Sequence, residues 1–356
     1  MSEKHDQEYF GDGMAEEILG LLSKIPRLTV IGRTSSFQFK GHAEDLRAIG
    51  EKLGASYVVE GSVRKAGPRI RVTAQLIDAR SGAHVWSDNY DRDFGDVLTL
   101  QDEIATGIAR ALQLAVSADD TRSTHRLNNS EAYTFYLRGL SYLDREHQDQ
   151  LVQAKDCFEQ ALSLDASLLR VAEALAFTYI ALGIDESMPA ITAHQQAKAT
   201  AQRALRIDSS SATAHSVLGY VHAFNDFEWK LAEAEFNKAM SLNPRDPSAL
   251  YLAAQIELPL GRREMALQRM NASLALDPLN PYAYAGLGEM LRDFGDLRGS
   301  DSAFRRSLEI SPLFDGSHLY LAENLLLRSR PEAALAEVQA ETAPDAKDRK
   351  RVAQAH

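Results

Sequence analysis

The residues that could do chemistry in this 356-residue chain are scattered, and type and spacing decide what each set can do. Asp91-Arg92-Asp93-Phe94-Gly95-Asp96 has the acidic density of a calcium loop and contains the Asp-Phe-Gly triplet of protein kinases. A helix–loop–helix calcium site needs glycine at its sixth position and glutamate at its twelfth, where Asp96 and Asp102 stand. No glycine-rich loop or catalytic His-Arg-Asp accompanies Asp93-Phe94-Gly95. A solvated turn after a strand is expected there. Gly286-Leu287-Gly288 lacks the third glycine and the preceding strand of a dinucleotide fingerprint. Cys157 is the only cysteine, which excludes an internal disulfide and a paired-cysteine metal knuckle. It precedes Phe158 in a predicted helix, with no histidine spaced to activate it, so a packing residue is expected rather than a nucleophile. The ten histidines form no HExxH or other metal spacing. His215 and His318 fall at the fourth position of their helices, where a ring is expected in the core. No catalytic residue, cofactor or metal site is expected, and the chain reads as a non-enzyme.

Arg64, Lys65, Arg69 and Arg71 gather on one predicted hairpin, but the whole chain carries a net charge of −11. There are 14 basic against 17 acidic residues up to residue 116, and 25 against 33 beyond it. A general reader of nucleic acid needs a concentrated basic face, so nucleic acid is not an expected partner. The start, MSEKHDQEYF, is polar from its first residue and lacks the apolar core of a signal peptide. No run approaches the ~18 apolar residues of a membrane-spanning helix. A cytoplasmic location is expected, or a periplasmic one if a longer parent carries an upstream membrane helix.

Two periodicities organise the elements that hold these residues. Up to residue 116 the order reads α-β-α-β-β-β-α, a small α/β sandwich. Met14–Lys24 has helical apolar spacing with Asp12 ahead of it as a cap. Leu28–Ile31 reads as a short buried strand, and Ala43–Leu53 as a second helix ended by Gly54. Tyr57–Lys65, Arg69–Ala79 and Ala83–Tyr90 read as antiparallel strands. Ile70, Val72, Ala74 and Leu76 alternate there with polar neighbours. Leu98–Val116 closes the unit as a third helix.

From about Ala132 strand signals vanish and a 34-residue period takes over. Ala232, Ala266, Ser300 and Ala334 share one column, and Phe236, Met270, Phe304 and Val338 another. Pro244, Pro278 and Pro312 recur at the same interval, as do Ala254, Gly288 and Ala322, with Gly219 one residue out of phase. Two helices per unit, small residues where they cross and a proline after the second resemble tetratricopeptide repeats. Gly139, Tyr142, Ala154, Phe158 and Ala161 mark a first repeat. Ala176, Tyr179, Ala197 and Ala204 mark a second, with an insertion around Gly183–Thr192. About six repeats fit, and the polar tail Asp345–His356, with Lys347, Arg349, Lys350 and Arg351, is expected to cap the array.

The tetratricopeptide resemblance implies that positions two, five, nine and twelve of each first helix face a concave groove. In this register they include Tyr133, Tyr136, Arg170, Glu173, Tyr220, Tyr251, Gln255, Tyr282, Glu289, Arg292 and Glu323. Tyrosine gives rigid contact area at low entropic cost, so a protein or peptide partner is expected in the groove; packing between repeats is the alternative for some of these rings. Repeats that clamp an acidic carboxyl tail use Lys and Asn at positions five and nine. That pairing is missing here.

Residues 5 to 115 also resemble the TolB-like amino-terminal domain found in class III adenylate cyclases and CadC-type winged-helix regulators. The matching pieces are Tyr9-Phe10, Asp12-Gly13 and Glu17; Val30, Arg33, Ser35-Ser36 and Phe39-Lys40-Gly41; Tyr57 and Glu60-Gly61-Ser62-Val63. Arg71-Val72, Ala74-Gln75-Leu76, Asp78, Trp86-Ser87, Tyr90-Asp91-Arg92 and Gln101-Asp102-Glu103-Ile104-Ala105 continue them. The resemblance implies a TolB-like domain at 1–120 and repeats at 130–356. Family members begin with an apolar strand that this chain lacks, so an open sheet edge is expected, and with it pairing between copies. The implied function is a protein-interaction and regulatory module. The alternative is the truncated regulatory portion of a cyclase or winged-helix regulator.

Overall fold

Phe10, Met14, Ile18 and Leu21 recur at four- and three-residue spacing. In the computed structural model they form one buried face of α1 (Glu3–Ser23). The structure describes residues 3–25, 27–41, 44–114, 129–143, 148–184, 187–312, 314 and 316–340. Helix α1 starts well before the predicted Met14, so Asp12 is no cap; its carboxylate takes the Lys40 Nζ at 2.6 Å. The glycines that argue against helix there serve packing. A Cβ on Gly13 would sit 2.3 Å from Leu137 Cδ2.

A short turn of helix, α2 (Arg33–Phe37), and α3 (Leu46–Leu53) follow. Asp45 caps α3 by accepting from Arg47 N, and Gly54 ends it in the left-handed region at φ 62°, as its position predicts. The strand expected at Leu28–Ile31 does not form. The segment has no neighbouring strand, and the Leu28 carbonyl is taken by Arg245 Nη1 at 2.8 Å.

The three remaining strands form an antiparallel sheet in the order β1 (Tyr57–Ala66), β2 (Arg69–Asp78), β3 (His84–Asp93). Register runs from Tyr57 opposite Asp78 to Ala66 opposite Arg69, and from Arg69 opposite Asp93 to Ile77 opposite His84, with a bulge at Leu76/Ile77. Ile70, Val72, Ala74 and Leu76 are buried on one face. Asp78 turns the β2–β3 corner by accepting from Arg80 N and Ser81 N. Helix α4 (Val97–Ala111) is shorter than its predicted span to Val116 and lies across Trp86 of β3. A Cβ on Gly107 would stand 2.8 Å from the indole.

Everything after residue 128 that is described is helical hairpin, in the tetratricopeptide-like arrangement the 34-residue period predicts. Two compact units divide the chain at Arg245/Asp246. The first contains the sheet and hairpins α5/α6 (Ser130–Leu143, Gln148–Leu164), α7/α8 (Leu169–Ile184, Ala190–Ile207) and α9/α10 (Ala212–Phe224, Trp229–Leu242). The second contains α11/α12 (Pro247–Glu257, Arg263–Leu276), α13/α14 (Pro281–Asp293, Leu297–Ile310) and α15/α16 (Ser317–Leu327, Pro331–Ala340). Prolines at the first helical position start α11 and α13, and Asp246 and Asn280 cap them. The repeating aromatic packs beneath the small residue of its own hairpin. Cβ atoms on Gly139, Gly219 and Gly288 would lie 2.3, 2.9 and 2.8 Å from the rings of Phe158, Phe236 and Phe304. Phe304 also stacks on Tyr320 of the next hairpin at 5.0 Å. The tail predicted as a cap lies outside the described residues.

Buried His194, in α8, meets the edge of the Tyr220 ring at 5.6 Å, and burial lowers its pKa from the usual 6.5. A depressed value means the unfolded chain binds the proton more readily. This contribution to stability is present above about pH 6.5 and is lost as pH falls through the folded value. Denaturation of the wild type at pH 7.5 and 5.5 should show a drop that His194→Phe reduces; an equal drop in both would contradict it.

Candidate functional site

The predicted groove positions divide between the two units, with different fates. In the first unit other elements engage them, and α1 takes Tyr136 and Arg170. Tyr136 OH donates to Glu17 Oε1 at 2.6 Å, and Arg170 reaches both Glu17 oxygens, Nη1 and Nε each at 3.2 Å. Glu17 is only 2% exposed. A Cβ on Gly20 would come within 2.9 Å of Arg170 Nη1, so glycine at that turn lets the guanidinium approach the helix. Tyr133 OH accepts from Gln101 Nε2 of α4 at 2.6 Å. Burial, then the nearby Glu17 charge, holds both tyrosine hydroxyls well above their usual pKa.

Glu173 accepts from Ser211 Oγ at 2.5 Å; burial raises its pKa, against the Ser211 hydrogen bond and Arg170. Tyr220 is buried between His194 and Phe224, and burial pushes its hydroxyl up to about 12. These side chains hold the first unit together. Nothing in the sequence register marked Glu17 as their partner, although Gly13, Glu17 and Gly20 recur at helical spacing.

In the second unit the groove positions stay more open. Tyr251 is half-buried, its ring 3.0 Å from where a Cβ on Gly286 would stand, and Gln255 is half-buried beside it on α11. Tyr282 is 59% exposed, edge-on to Phe314 at 4.8 Å. Glu289 has its pKa raised by burial, with the Tyr320 hydroxyl hydrogen bond and Arg292 acting the other way. The Arg292 guanidinium lies 5.1 Å over the Tyr320 ring and pairs with Glu323. Arg292, Glu323, Leu326 and Leu327 line one shallow pocket, with the two leucines 50% and 66% exposed. Leu326 stands one period after Arg292, at position twelve of its repeat, whereas Leu327 is at a position the register does not mark.

The other candidate chemistry resolves locally. Asp91 and Asp93 belong to the end of β3 rather than to the turn, which is the single 3-10 turn Phe94–Asp96 with Phe94 buried. Asp91 pairs with both Arg69 and Arg71 at 2.5 and 2.7 Å, so two of the four basic residues of the hairpin share one carboxylate. Burial raises the Cys157 thiol pKa, opposite to what a nucleophile needs. His215 and His318 are not packed as simple core rings. Each bonds a glutamate of its own hairpin, Glu235 at 2.5 Å and Glu337 at 2.9 Å. Among the described residues one histidine meets two carboxylates at metal-ligand distances of one another, at His222, Asp226 and Glu228. No described helix is long and apolar enough to cross a membrane.

Helical hairpins preceded by a small antiparallel sheet give the chain a tetratricopeptide-repeat-like fold. No family model matches the chain. It is 34% identical over 221 residues to "Putative adenylate cyclase 3" of Rhizobium meliloti, covering 61% of this chain and 38% of that protein. It is 25% identical over 270 residues to the transcriptional regulator HilA of Salmonella typhimurium, covering 72% of this chain and 48% of that one. The chain thus spans less than half the length of these relatives. Among solved structures, the human IFIT1 dimer with m7Gppp-AAAA superposes with a TM-score of 0.52 at 15% identity, over 68% of this chain and 55% of that chain. That likeness is one of fold alone.

Proposed function

We propose that this chain is a non-enzymatic interaction and regulatory module that binds a peptide or protein segment in the groove of its second unit. Residues 1–120 act as a TolB-like α/β domain and 130–356 as about six repeats. One observation carries this reading: Leu326 and Leu327 stand exposed beside the Arg292–Glu323 pair, and Tyr282 is exposed at the first turn of α13. The first-unit groove positions Tyr133, Tyr136 and Arg170 are, by contrast, already engaged by α1 and α4. Exposed aliphatic and aromatic contact area with a polar rim is the composition of a binding surface.

The full chain should capture a partner from extracts of its source, and the double variant Tyr282→Ala/Leu327→Asp should reduce that capture at least tenfold. Undiminished capture by that variant, with loss in a sheet-face Arg71→Glu variant, would move the site elsewhere. A second reading is the regulatory portion of an adenylate cyclase or winged-helix transcriptional regulator. Matches covering 38% and 48% of two longer proteins favour it. Sequencing the gene on both sides of this segment tests it: an in-frame catalytic or winged-helix domain supports the reading, and an immediate stop codon removes it.

A further inference from the structure

The last turn of α9 and the loop that follows bring a histidine and two carboxylates together. His222 Nδ1 lies 3.2 Å from Asp226 Oδ2 and 3.0 Å from Glu228 Oε2, and one ligand atom from each residue falls within 4.8 Å of the others. We propose that His222, Asp226 and Glu228 form a binding site for a first-row divalent cation of the Zn2+ class.

Bonds of about 2.0–2.2 Å to nitrogen and oxygen set neighbouring ligands of a tetrahedral Zn2+ about 3.3–3.6 Å apart. The two His222 separations need to widen by only a few tenths of an ångström, and the two carboxylates already lie within 4.8 Å of each other. Lys198 offsets one of the two carboxylates that face the imidazole nitrogen, and a divalent cation would offset the other without a proton on the ring. All three ligands come from a seven-residue stretch, so few torsions must be frozen on binding. The backbone already presents them. Asp226 N donates to the Val221 carbonyl at 3.1 Å and Glu228 N to the His222 carbonyl at 2.7 Å. Between the two acids, Phe227 adopts φ 58°, a left-handed conformation uncommon for a bulky side chain.

Asp226 is also held from outside the triad. Lys198 Nζ sits 2.5 Å from its Oδ2 and Asn225 Nδ2 2.8 Å from its Oδ1. A carboxylate oxygen carries two lone pairs, so Oδ2 can keep Lys198 and still ligate. Such outer partners fix a ligand's orientation. One imidazole with two carboxylates suits Zn2+ and its first-row neighbours and does not suit Ca2+ or Mg2+, which take all-oxygen shells. Glu228 is half-exposed, which leaves the remaining coordination position to water.

The test is calorimetric titration of the untagged full chain with ZnCl2, and separately with CaCl2. One Zn2+ per chain is expected, with affinity falling at least tenfold in both His222→Ala and Glu228→Gln and no comparable Ca2+ uptake. Helicity by circular dichroism confirms that each variant folds, and Glu228→Gln, at a half-exposed position, keeps the test available if His222→Ala does not. No Zn2+ uptake, uptake unchanged in the folded variants, or equal Ca2+ uptake would overturn the assignment. The site is independent of the groove, so either can fail alone.

Discussion

A Glu17→Ala chain is expected to lose about 3–5 kcal/mol of stability in its first unit, the range seen when one partner of a buried charge pair is removed. Glu17 is 2% exposed and is the shared acceptor of Tyr136 OH and the Arg170 guanidinium. Truncation leaves the half-buried Arg170 guanidinium without its nearest counter-charge and a buried hydroxyl without its acceptor. Denaturant unfolding followed by circular dichroism measures the loss. Arg170→Ala should cost a similar amount, and the double variant much less than the sum, because the second change removes an already stranded group. Strict additivity, or a loss below about 1 kcal/mol for Glu17→Ala, would show that this network is not what joins α1 to the hairpins.

Phe236→Ala is expected to cost about 3–5 kcal/mol, the toll of emptying a fully buried ring site. Phe236 is fully buried, and its ring lies where a Cβ on Gly219 would come within 2.9 Å. Gly219→Ala alone should also destabilise, because α9 and α10 would have to part around the added methyl. In the Phe236→Ala background the same methyl enters vacated space, so Gly219→Ala should recover part of the loss. Thermal unfolding of the four proteins reads the coupling. A Gly219→Ala chain as stable as the wild type in both backgrounds would mean that the glycine is not required by the ring.

Repetition made the hairpins legible. The columns through Phe236 and Phe304, and through Gly288, repeat because each hairpin solves the same packing problem, and the observed pairs Gly219–Phe236 and Gly288–Phe304 are that solution. The sheet was legible from alternation at Ile70 to Leu76 and from the turn residues at Gly67 and Gly82, both at positive φ. Leu28–Ile31 misled because apolar, β-branched composition does not supply a neighbouring strand, and an unpaired segment satisfies its backbone elsewhere, here through Arg245. The groove positions were legible as positions, not as free surface. Register places Tyr133, Tyr136 and Arg170 on one face, but only the three-dimensional packing reveals that α1, more than a hundred residues upstream, lies on it. The His222 cluster escaped motif reading because its spacing matches no familiar ligand pattern and depends on the left-handed turn at Phe227.

The contact of α1 with α5, sealed at Gly13 against Leu137 and at Glu17 against Tyr136, has a consequence for how such a chain can vary. Repeat arrays ordinarily gain and lose whole units by recombination, since each unit meets only its neighbours. The hairpins that carry Tyr136 and Arg170 are exempt from that freedom, because each also holds part of a non-repeating partner. A duplicated α5/α6 pair would bring a second Tyr136 with no Glu17 to receive its hydroxyl. Change in repeat number is therefore confined to the hairpins beyond these two, and lineages descended from this arrangement should differ in length there while keeping the α1-bound pair fixed in number.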